Sequence, residues 1–129
     1  MATIIGVTGM ALTAEQQRTL CTSVPEAVCG AFHLDINISA MMLLPSLPEE
    51  CWGPAAENQI TYFIYTAPNK PLEQKRALVK GVYEATKAAV GTPREKGQVV
   101  VIFKEHGDNN VGVDGVLRVD AKKNGTFQV

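Results

Sequence analysis

The feature that most constrains this chain is an internal repeat. The segment "LTAEQQRTL" at residues 12–20 is echoed by "PLEQKRALVKGVYEA" at residues 71–85. The Glu-Gln pairs of the two segments lie 58 positions apart, nearly half of 129 residues, and each opens a stretch with apolar residues at helical spacing. Because a chain of this length builds a single core, the repeat predicts two copies of one small unit that share that core.

Each copy has the pattern of a strand, a helix and a second strand. The predicted strands cover residues 3–7, 36–44, 60–66 and 98–103, and the predicted helices cover residues 13–31 and 72–90. Thr13 and Gln16 have the spacing of a capping box at the start of the first helix. Pro25 lacks a backbone donor, so we expect the first helix to kink or split near Ser23. Gly91 marks the end of the second helix.

The last quarter of the chain is predicted to be irregular apart from one hairpin. A polar loop, "KEHGDNN", follows the fourth strand, and "VGVDGVLRV" at residues 111–119 predicts a tight hairpin around its glycines. No periodicity follows. We therefore expect one domain, with a first unit over about residues 2–53, a second over about 59–117 and a frayed tail at 118–129.

Two tandem β-α-β units predict an α/β fold with a four-stranded mixed sheet and both helices on one face. The other face then needs apolar cover from elsewhere. We expect it to be lined by part of a set of eight residues: Ile4, Ile38, Ala40, Met42, Phe63, Tyr65, Val99 and Val101. Self-association in a closed ring covers such a face, and a trimer is the predicted assembly.

Composition narrows the classes of partner. The formal net charge is -1, and the 12 basic residues are scattered, which argues against nucleic acid or an anionic membrane. No apolar run approaches the ~20 residues of a membrane span. The three cysteines have neither metal-ligand spacing nor the pattern of a disulfide framework, so we expect reduced thiols in the cytoplasm.

The residues also carry a resemblance to a known family. The segments "EQKRALVKGVYEATKAAVGTP", "VVVIF" and "VGVDG" resemble the helix, second strand and glycine-rich hairpin of 4-oxalocrotonate tautomerase. In the first half, "EQQ" and the "WG" of Trp52 and Gly53 match the same landmarks. From Ala2 to about Leu117 the chain therefore resembles the tautomerase superfamily, in its fused form with two β-α-β units per subunit.

That resemblance implies cofactor-independent proton transfer on a small keto or enol acid, or hydration or decarboxylation of similar acids. The family uses an amino-terminal proline as the proton carrier, and Ala2 stands in its place here. Methionine is normally removed before alanine, which leaves a primary amine with a reference pKa of ~7.7 to 8.0 that an apolar pocket lowers. Such an amine is a candidate general base.

The resemblance also points to the substrate-binding residues. At the position before each helix, where the family has an arginine, the chain has Leu12 and Lys70, so Lys70 is the candidate carboxylate ligand. At the second arginine position stand two amides, Asn37 and Gln98, which favour a neutral or mono-carboxylate compound. Trp52 and Val111 occupy the apolar wall of the pocket.

A second group of titratable residues lies after the fourth strand. His106, close in sequence to Glu105 and Asp108, and Asp114 in the hairpin are alternative candidates for an acid or base. Motifs of nucleotide-binding, serine-hydrolase and zinc enzymes are absent from the sequence.

Three hypotheses remain open. The first is a tautomerase-like enzyme that uses Ala2 and Lys70. The second is a non-catalytic trimer that binds a small molecule or serves as a structural protein. The third is a biosynthetic lyase or cyclase whose acid or base is His106 or Asp114.

Overall fold

The computed structural model describes residues 2–51, 53, 58–91 and 98–123. The strands are β1 (Thr3–Thr8), β2 (Ala40–Leu44), β3 (Ile60–Thr66), β4 (Val99–Glu105), β5 (Gly112–Val113) and β6 (Val116–Leu117). The helices are α1 (Ala14–Phe32), α2 (Leu72–Val90) and α3 (Arg118–Lys123). No helix in these ranges is both long and apolar enough to cross a membrane.

Four strands form one mixed sheet in the order β2-β1-β3-β4. Within each unit the strands are parallel, β1 with β2 and β3 with β4, as a helical crossover requires. The two units meet through the antiparallel pair β1 and β3, where Ile5 lies opposite Phe63. This arrangement confirms the predicted mixed sheet, with α1 and α2 packed together on one face.

The first helix follows its capping signal closely. Gln16 N donates to Thr13 Oγ1 at 3.1 Å, and Thr13 N donates to Gln16 Oε1 at 2.8 Å, so both halves of the capping box are present. The sequence predicted a kink or a split near Ser23, and of these the split is wrong, because α1 continues through Pro25. Pro25 is buried beside Val24, and packing of this turn against the core outweighs the single lost backbone hydrogen bond.

The two helices approach each other closely at Gly81, which lies in α2. A Cβ atom added there would lie 3.2 Å from Ala27 Cβ, a carbon fixed to the backbone of α1 that cannot rotate away. Gly30 lies inside α1, and a Cβ atom added there would have no atom within 4 Å. The two glycines therefore differ in role, although both sit in helices.

Alanine substitution at these glycines is expected to change stability in opposite directions. Gly30→Ala should raise the free energy of unfolding by about 0.5–1 kcal/mol, because alanine is the better helix former. Gly81→Ala should lower it by about 1 kcal/mol, because separating the helices costs more than the helical preference returns. Urea denaturation of both variants measures the difference, and a Gly81→Ala protein as stable as Gly30→Ala would refute the close contact.

The shared core lies between the sheet and the two helices. Its largest fully buried side chains include Tyr62, Ile4, Leu20 and Leu78. The Tyr62 hydroxyl is 2.8 Å from Thr86 Oγ1, which itself donates to the Val82 carbonyl at 2.8 Å. Burial raises the pKa of Tyr62 to about 12, so this phenol stays neutral and serves as a hydrogen-bonding core residue.

The opposite side of the sheet is an apolar surface, which we call the open face. The registers place one row of side chains across its centre: Met42, Ile5, Phe63 and Ile102. Met42 is 52% exposed and Ile102 is 46% exposed. Of the predicted lining residues, Ala40, Met42, Phe63 and Tyr65 lie on this face.

The other predicted lining residues lie elsewhere. Ile4 is buried in the core, and Val99 and Val101 pack against the core from the helix side. In β1 and β4 it is therefore the other set of alternating residues, which includes Ile5 and Ile102, that lies on the open face. Ile38 belongs to a short 3₁₀ helix over Ile36–Ile38, so the strand predicted from residue 36 begins only at Ala40.

The segment after β4 is more ordered than expected. Asp114 has φ 52° and Gly115 has φ 84°, the two left-handed positions of a tight turn, which confirms the predicted hairpin between β5 and β6. The expectation of a frayed tail from residue 118 is wrong for the helix α3. Lys122 Nζ lies 2.9 Å from Asp108 Oδ2 and ties α3 to the loop after β4. Residues 124–129 lie outside the described part of the chain.

Candidate functional site

The strand directions bring several predicted site residues to one end of the sheet. There β1 and β2 begin while β3 and β4 end, since the two units are antiparallel to each other. We call this the Ala2 end. Asn37 precedes β2, Lys70 follows β3 and His106 follows β4, so all three sequence candidates lie at the end where Ala2 starts β1.

Ala2 is completely buried and belongs to the core cluster. Its carbonyl accepts a hydrogen bond of 3.0 Å from Ala40 N, which extends the β1–β2 ladder by one residue. On its other side, β1 and β3 pair from Thr3 opposite Tyr65 onward. Continuing that register by one residue places Ala2 opposite Thr66, and both side chains lie on the helix side of the sheet.

Lys70 is half-buried at the same end. Its Nζ atom lies 5.2 Å from the centroid of the Phe32 ring, within the range of a cation–π contact. The backbone N–H groups of Lys70 and Asn69 also contribute to the lowered pKa of the Glu105 carboxyl at the end of β4. The Lys70 ammonium is therefore held over the last turn of α1 by an aromatic face.

A charged pair lies beside this loop. Lys75 Nζ is 2.9 Å from Glu105 Oε1 and 5.5 Å from the centroid of the Phe103 ring. The hydrogen bond from Lys75 is the main cause that lowers the pKa of Glu105 below its ordinary value of 4.5. The main charged partner of Glu105 is thus Lys75.

The lowered pKa of Glu105 predicts an acid-dependent contribution to stability. A carboxyl group whose folded pKa is depressed stabilises the fold above its ordinary pKa, and that stabilisation is lost as pH falls through the lowered value. Glu105→Gln should therefore be less stable than wild type at pH 7, and the difference should shrink as pH falls from about 4.5 downward. Thermal unfolding from pH 7 to pH 2.5 measures this, and in a Lys75→Met background the difference should be smaller at every pH.

The two candidate amides, Asn37 and Gln98, lie at opposite ends of the sheet within one chain. Asn37 is exposed in the 3₁₀ helix at the Ala2 end, where its N–H donates to Asp35 Oδ1 at 2.9 Å. Gln98 precedes β4 at the opposite end of the sheet, where its carbonyl accepts from Ile60 N at 2.8 Å. Parallel pairing of β3 with β4 forces this separation, because β4 begins where β3 begins.

The remaining candidates lie after β4 or outside the described chain. Val111 is half-buried and its carbonyl accepts from Arg118 N at 2.8 Å, while Asp114 is exposed at the hairpin turn. Trp52 lies outside the described residues. His106 is half-buried, and the nearby Asp108 pairs with Lys122 instead, whose hydrogen bond is the main cause that lowers the pKa of Asp108.

Thr66 was missed by the sequence reasoning. It is 1% exposed and ends β3 at the Ala2 end. The alternation of β3 was a usable signal, because Thr66 shares parity with the buried residues Tyr62 and Ile64 and is the polar member of that row. Among the described residues no cluster of three or more side chains is suited to hold a metal ion.

A groove of about 580 Å³ runs between α2 and β4. Val99, Val101 and Phe103 line it from the strand, and Arg76 and Lys80 line it from the helix. Lys75 is common to the groove and the Glu105 ion pair, so the groove opens next to the Ala2 end.

Comparison with known proteins fits this geometry. The family model described as tautomerase enzyme matches residues 64–121, which include β4, the hairpin and all of α2. Residues 64–121 of this chain therefore match the tautomerase family. No curated protein matches it by sequence.

Solved structures of the superfamily have the same fold. The structure of native fused 4-OT has a TM-score of 0.80 at 16% identity, over 93% of this chain and 98% of that one. The asymmetric trimer of the fused 4-OT R7 has a TM-score of 0.80 at 14% identity, over 93% and 98%. The FG41 malonate semialdehyde decarboxylase, inhibited by 3-bromopropiolate, has a TM-score of 0.71 at 12% identity, over 100% and 98%. At these identities the likeness shows the fold of this chain and no more.

Proposed function

We propose that this chain is a cofactor-independent enzyme of the tautomerase type that moves a proton on a small keto or enol compound, either neutral or a mono-carboxylate. The observation that carries the proposal is the burial of Ala2 at the end of the sheet where Lys70 is also held. The family model supports the reaction type. The superfamily uses the residue at the start of β1 as its proton carrier.

The proposed proton carrier is the amine of Ala2 after removal of Met1. An amine next to a fully buried residue is partly desolvated, which disfavours its charged form and lowers its pKa from ~7.7 to 8.0 toward neutrality. Near neutrality both its acid and base forms are populated, as transfer of a proton from or to carbon requires.

Lys70 is the proposed ligand of a substrate carboxylate. Its ammonium is a single point charge, which suits one carboxylate better than two. Asn37 at the same end is the amide proposed to contact the substrate. Gln98 is proposed to act only through another copy, since it lies at the far end of its own sheet.

A trimer is the proposed assembly. The open face exposes a row of large apolar side chains that water does not solvate favourably. The fused 4-OT R7 protein, which has the same fold, is an asymmetric trimer. The same arrangement here would bury the three open faces together. The three free cysteines are compatible with the reducing cytoplasm proposed as its location.

The test of the proposed function is the ketonisation of phenylpyruvate and 2-hydroxymuconate by wild type and by Ala2→Pro, with the intact mass of each protein. A pyrrolidine amine holds its geometry more rigidly than a primary amine, so Ala2→Pro should be faster by about tenfold, the effect of ~1.4 kcal/mol on the barrier. Loss of turnover on this substitution would remove the general-base role of Ala2.

One observation favours a second candidate. The position of the family proline is held by Ala2, and of the two pre-helix positions only Lys70 carries a positive charge. A trimer without turnover, which binds a small carbonyl compound or serves a structural role, fits the replacement of the proline and the presence of a single positive charge. A biosynthetic lyase or cyclase remains a third possibility, in which His106 or Asp114 carries the proton. The test above separates these functions, because a binding module would bind phenylpyruvate in both variants and convert it in neither.

A further inference from the structure

Three described threonines are buried, and one of them has no hydrogen-bond partner for its hydroxyl among the described residues. Thr8 Oγ1 donates to the Gln59 carbonyl at 2.7 Å and accepts from Met10 N at 3.0 Å. Thr86 Oγ1 bonds to Tyr62 and Val82. Thr66 Oγ1 is unpartnered although the residue is 1% exposed. A buried hydroxyl without a partner is costly, so it needs a physical explanation.

The internal repeat supplies the reason. Thr66 is the counterpart of Thr8, because the two copies are offset by 58 positions. The same offset puts Pro68 in the place of Met10. Proline has no backbone N–H, so the donor that serves Thr8 is absent beside Thr66. The Thr8 hydroxyl of the first copy therefore has two hydrogen-bond partners, whereas the Thr66 hydroxyl of the second copy has none among the described residues.

The offset also indicates which backbone group the unpartnered Thr66 hydroxyl faces. Thr8 bonds to the carbonyl of Gln59, whose carbon is joined to the nitrogen of Ile60. Ile60 is the counterpart of Ala2. By the repeat and by the register of β1 with β3, the Thr66 hydroxyl therefore faces the backbone at the nitrogen of Ala2.

A second unpartnered polar atom belongs to the residue whose backbone N–H bonds to Thr66. His106 Nδ1 is buried and has no partner among the described residues. His106 N donates to the Thr66 carbonyl at 2.9 Å, so the residue that follows β4 is bonded through its backbone to the end of β3. In the other copy, the group that donates to the equivalent carbonyl of Thr8 is Leu47 N, at 3.2 Å. The residue that donates to the threonine carbonyl is thus a leucine beside Thr8 and a histidine beside Thr66.

We propose that Thr66 and His106 bind the carbonyl oxygen of the substrate beside the Ala2 amine, and that His106 exchanges a proton with that oxygen. The inference rests on the proposed function, since it assigns two more residues to the same site. Its ligand is a small ketone or 2-oxo acid in equilibrium with its enol. A hydroxyl and an imidazole suit such an oxygen, because each can donate to the keto form and accept from the enol form.

The proton balance of ketonisation follows from these positions. The enol O–H gives its proton to His106 Nδ1, and the electron pair of that bond forms the C=O bond. The electron pair of the C=C bond takes a proton from the Ala2 ammonium to form the new C–H bond. The imidazolium then loses its proton to solvent and the amine regains one, so no other reactant is needed.

A pair of threonine variants separates this role from a structural one. Thr66→Val replaces an unpartnered hydroxyl by a methyl group of similar shape, so it should raise the melting temperature by about 2–5 °C. Thr86→Val, which breaks a bonded hydroxyl, should lower it by about as much. At the same time Thr66→Val should weaken binding of phenylpyruvate by about tenfold, while Thr86→Val should leave it within about twofold.

Variants of His106 divide binding from proton transfer. His106→Asn keeps a donor near the place of Nδ1 but cannot carry a proton, so it should keep the dissociation constant within about threefold and lower kcat by about 100-fold or more. His106→Ala should lose both binding and turnover. Equal kcat in wild type and His106→Asn would overturn the proton exchange.

Direct contact is measured by nitrogen NMR of histidine-labelled full-length protein titrated with phenylpyruvate. The chain has two histidines, and His33 at the exposed end of α1 is the internal control. The Nδ1 signal of His106 should shift on binding and that of His33 should not. An unchanged His106 signal at saturation, or the absence of any binding, would overturn the proposal. Binding with the expected shift but without turnover would uphold this oxygen site and refute the proposed enzymatic function instead.

Discussion

A two-residue extension placed ahead of Ala2, which leaves no free Ala2 amine, is expected to lower the ketonisation rate of phenylpyruvate by at least about 100-fold. General acid–base catalysis by a placed group contributes about 10²–10⁴ in rate, and the extension converts that group into an amide with no basic lone pair. The effect should appear in kcat more than in KM, because Lys70 and the oxygen-binding residues are untouched. Steady-state kinetics on the assembled protein measure both constants.

The control for this variant is the same two residues added after Val129. That protein should keep wild-type kinetics and an unchanged melting temperature. If the extension ahead of Ala2 is instead as active as the control, the proton carrier lies elsewhere. The kinetics of His106→Asn and Asp114→Asn would then identify which side chain replaces it.

Phe63→Glu is expected to convert the proposed trimer into monomers at micromolar concentration. Phe63 lies in the central row of the open face, between Ile5 and Ile102 in the register. A carboxylate enclosed there without a partner costs several kcal/mol per subunit, which an assembly held by apolar burial does not offset. Sedimentation velocity measures the result.

Leu72→Glu is the matched control for the open face. Leu72 is 64% exposed on α2, on the other side of the sheet, so the same change of charge there should leave the trimer intact. A Phe63→Glu protein that sediments like wild type would mean that the open face is not the interface. The variant should also lose activity if Gln98 or the hairpin of a neighbouring copy completes the Ala2 end.

The sequence predicted the architecture because the repeat and the helix signals are local. The 58-residue offset alone predicts two β-α-β units, and the Thr13 capping box locates the start of α1. The split at Pro25 was wrong because core packing of α1 is a tertiary effect that a proline rule does not include. The phase of β4 was wrong for a similar reason, since an unbroken apolar run gives no alternation to read.

The candidate site residues were named from a resemblance, and their roles stay predictions. Strand order and direction place Ala2, Asn37, Lys70 and His106 at one end of the sheet, whereas parallel pairing puts Gln98 at the other end. Thr66 required knowledge of hydrogen bonds, because a threonine at a strand end is ordinary until its hydroxyl is seen to be unpartnered. The substitution of Met10 by Pro68 between the copies was visible in the sequence, but its meaning depended on the Thr8 contacts.

The proposed role of the Ala2 amine as proton carrier is tested most directly by the rate of enol-phenylpyruvate ketonisation in protein whose intact mass shows that Met1 is absent. If the amine carries the proton, the rate should exceed that of buffer and be proportional to the fraction of chains that begin at Ala2. A rate that does not depend on that fraction, or no rate in a sample in which every chain begins at Ala2, would contradict this role.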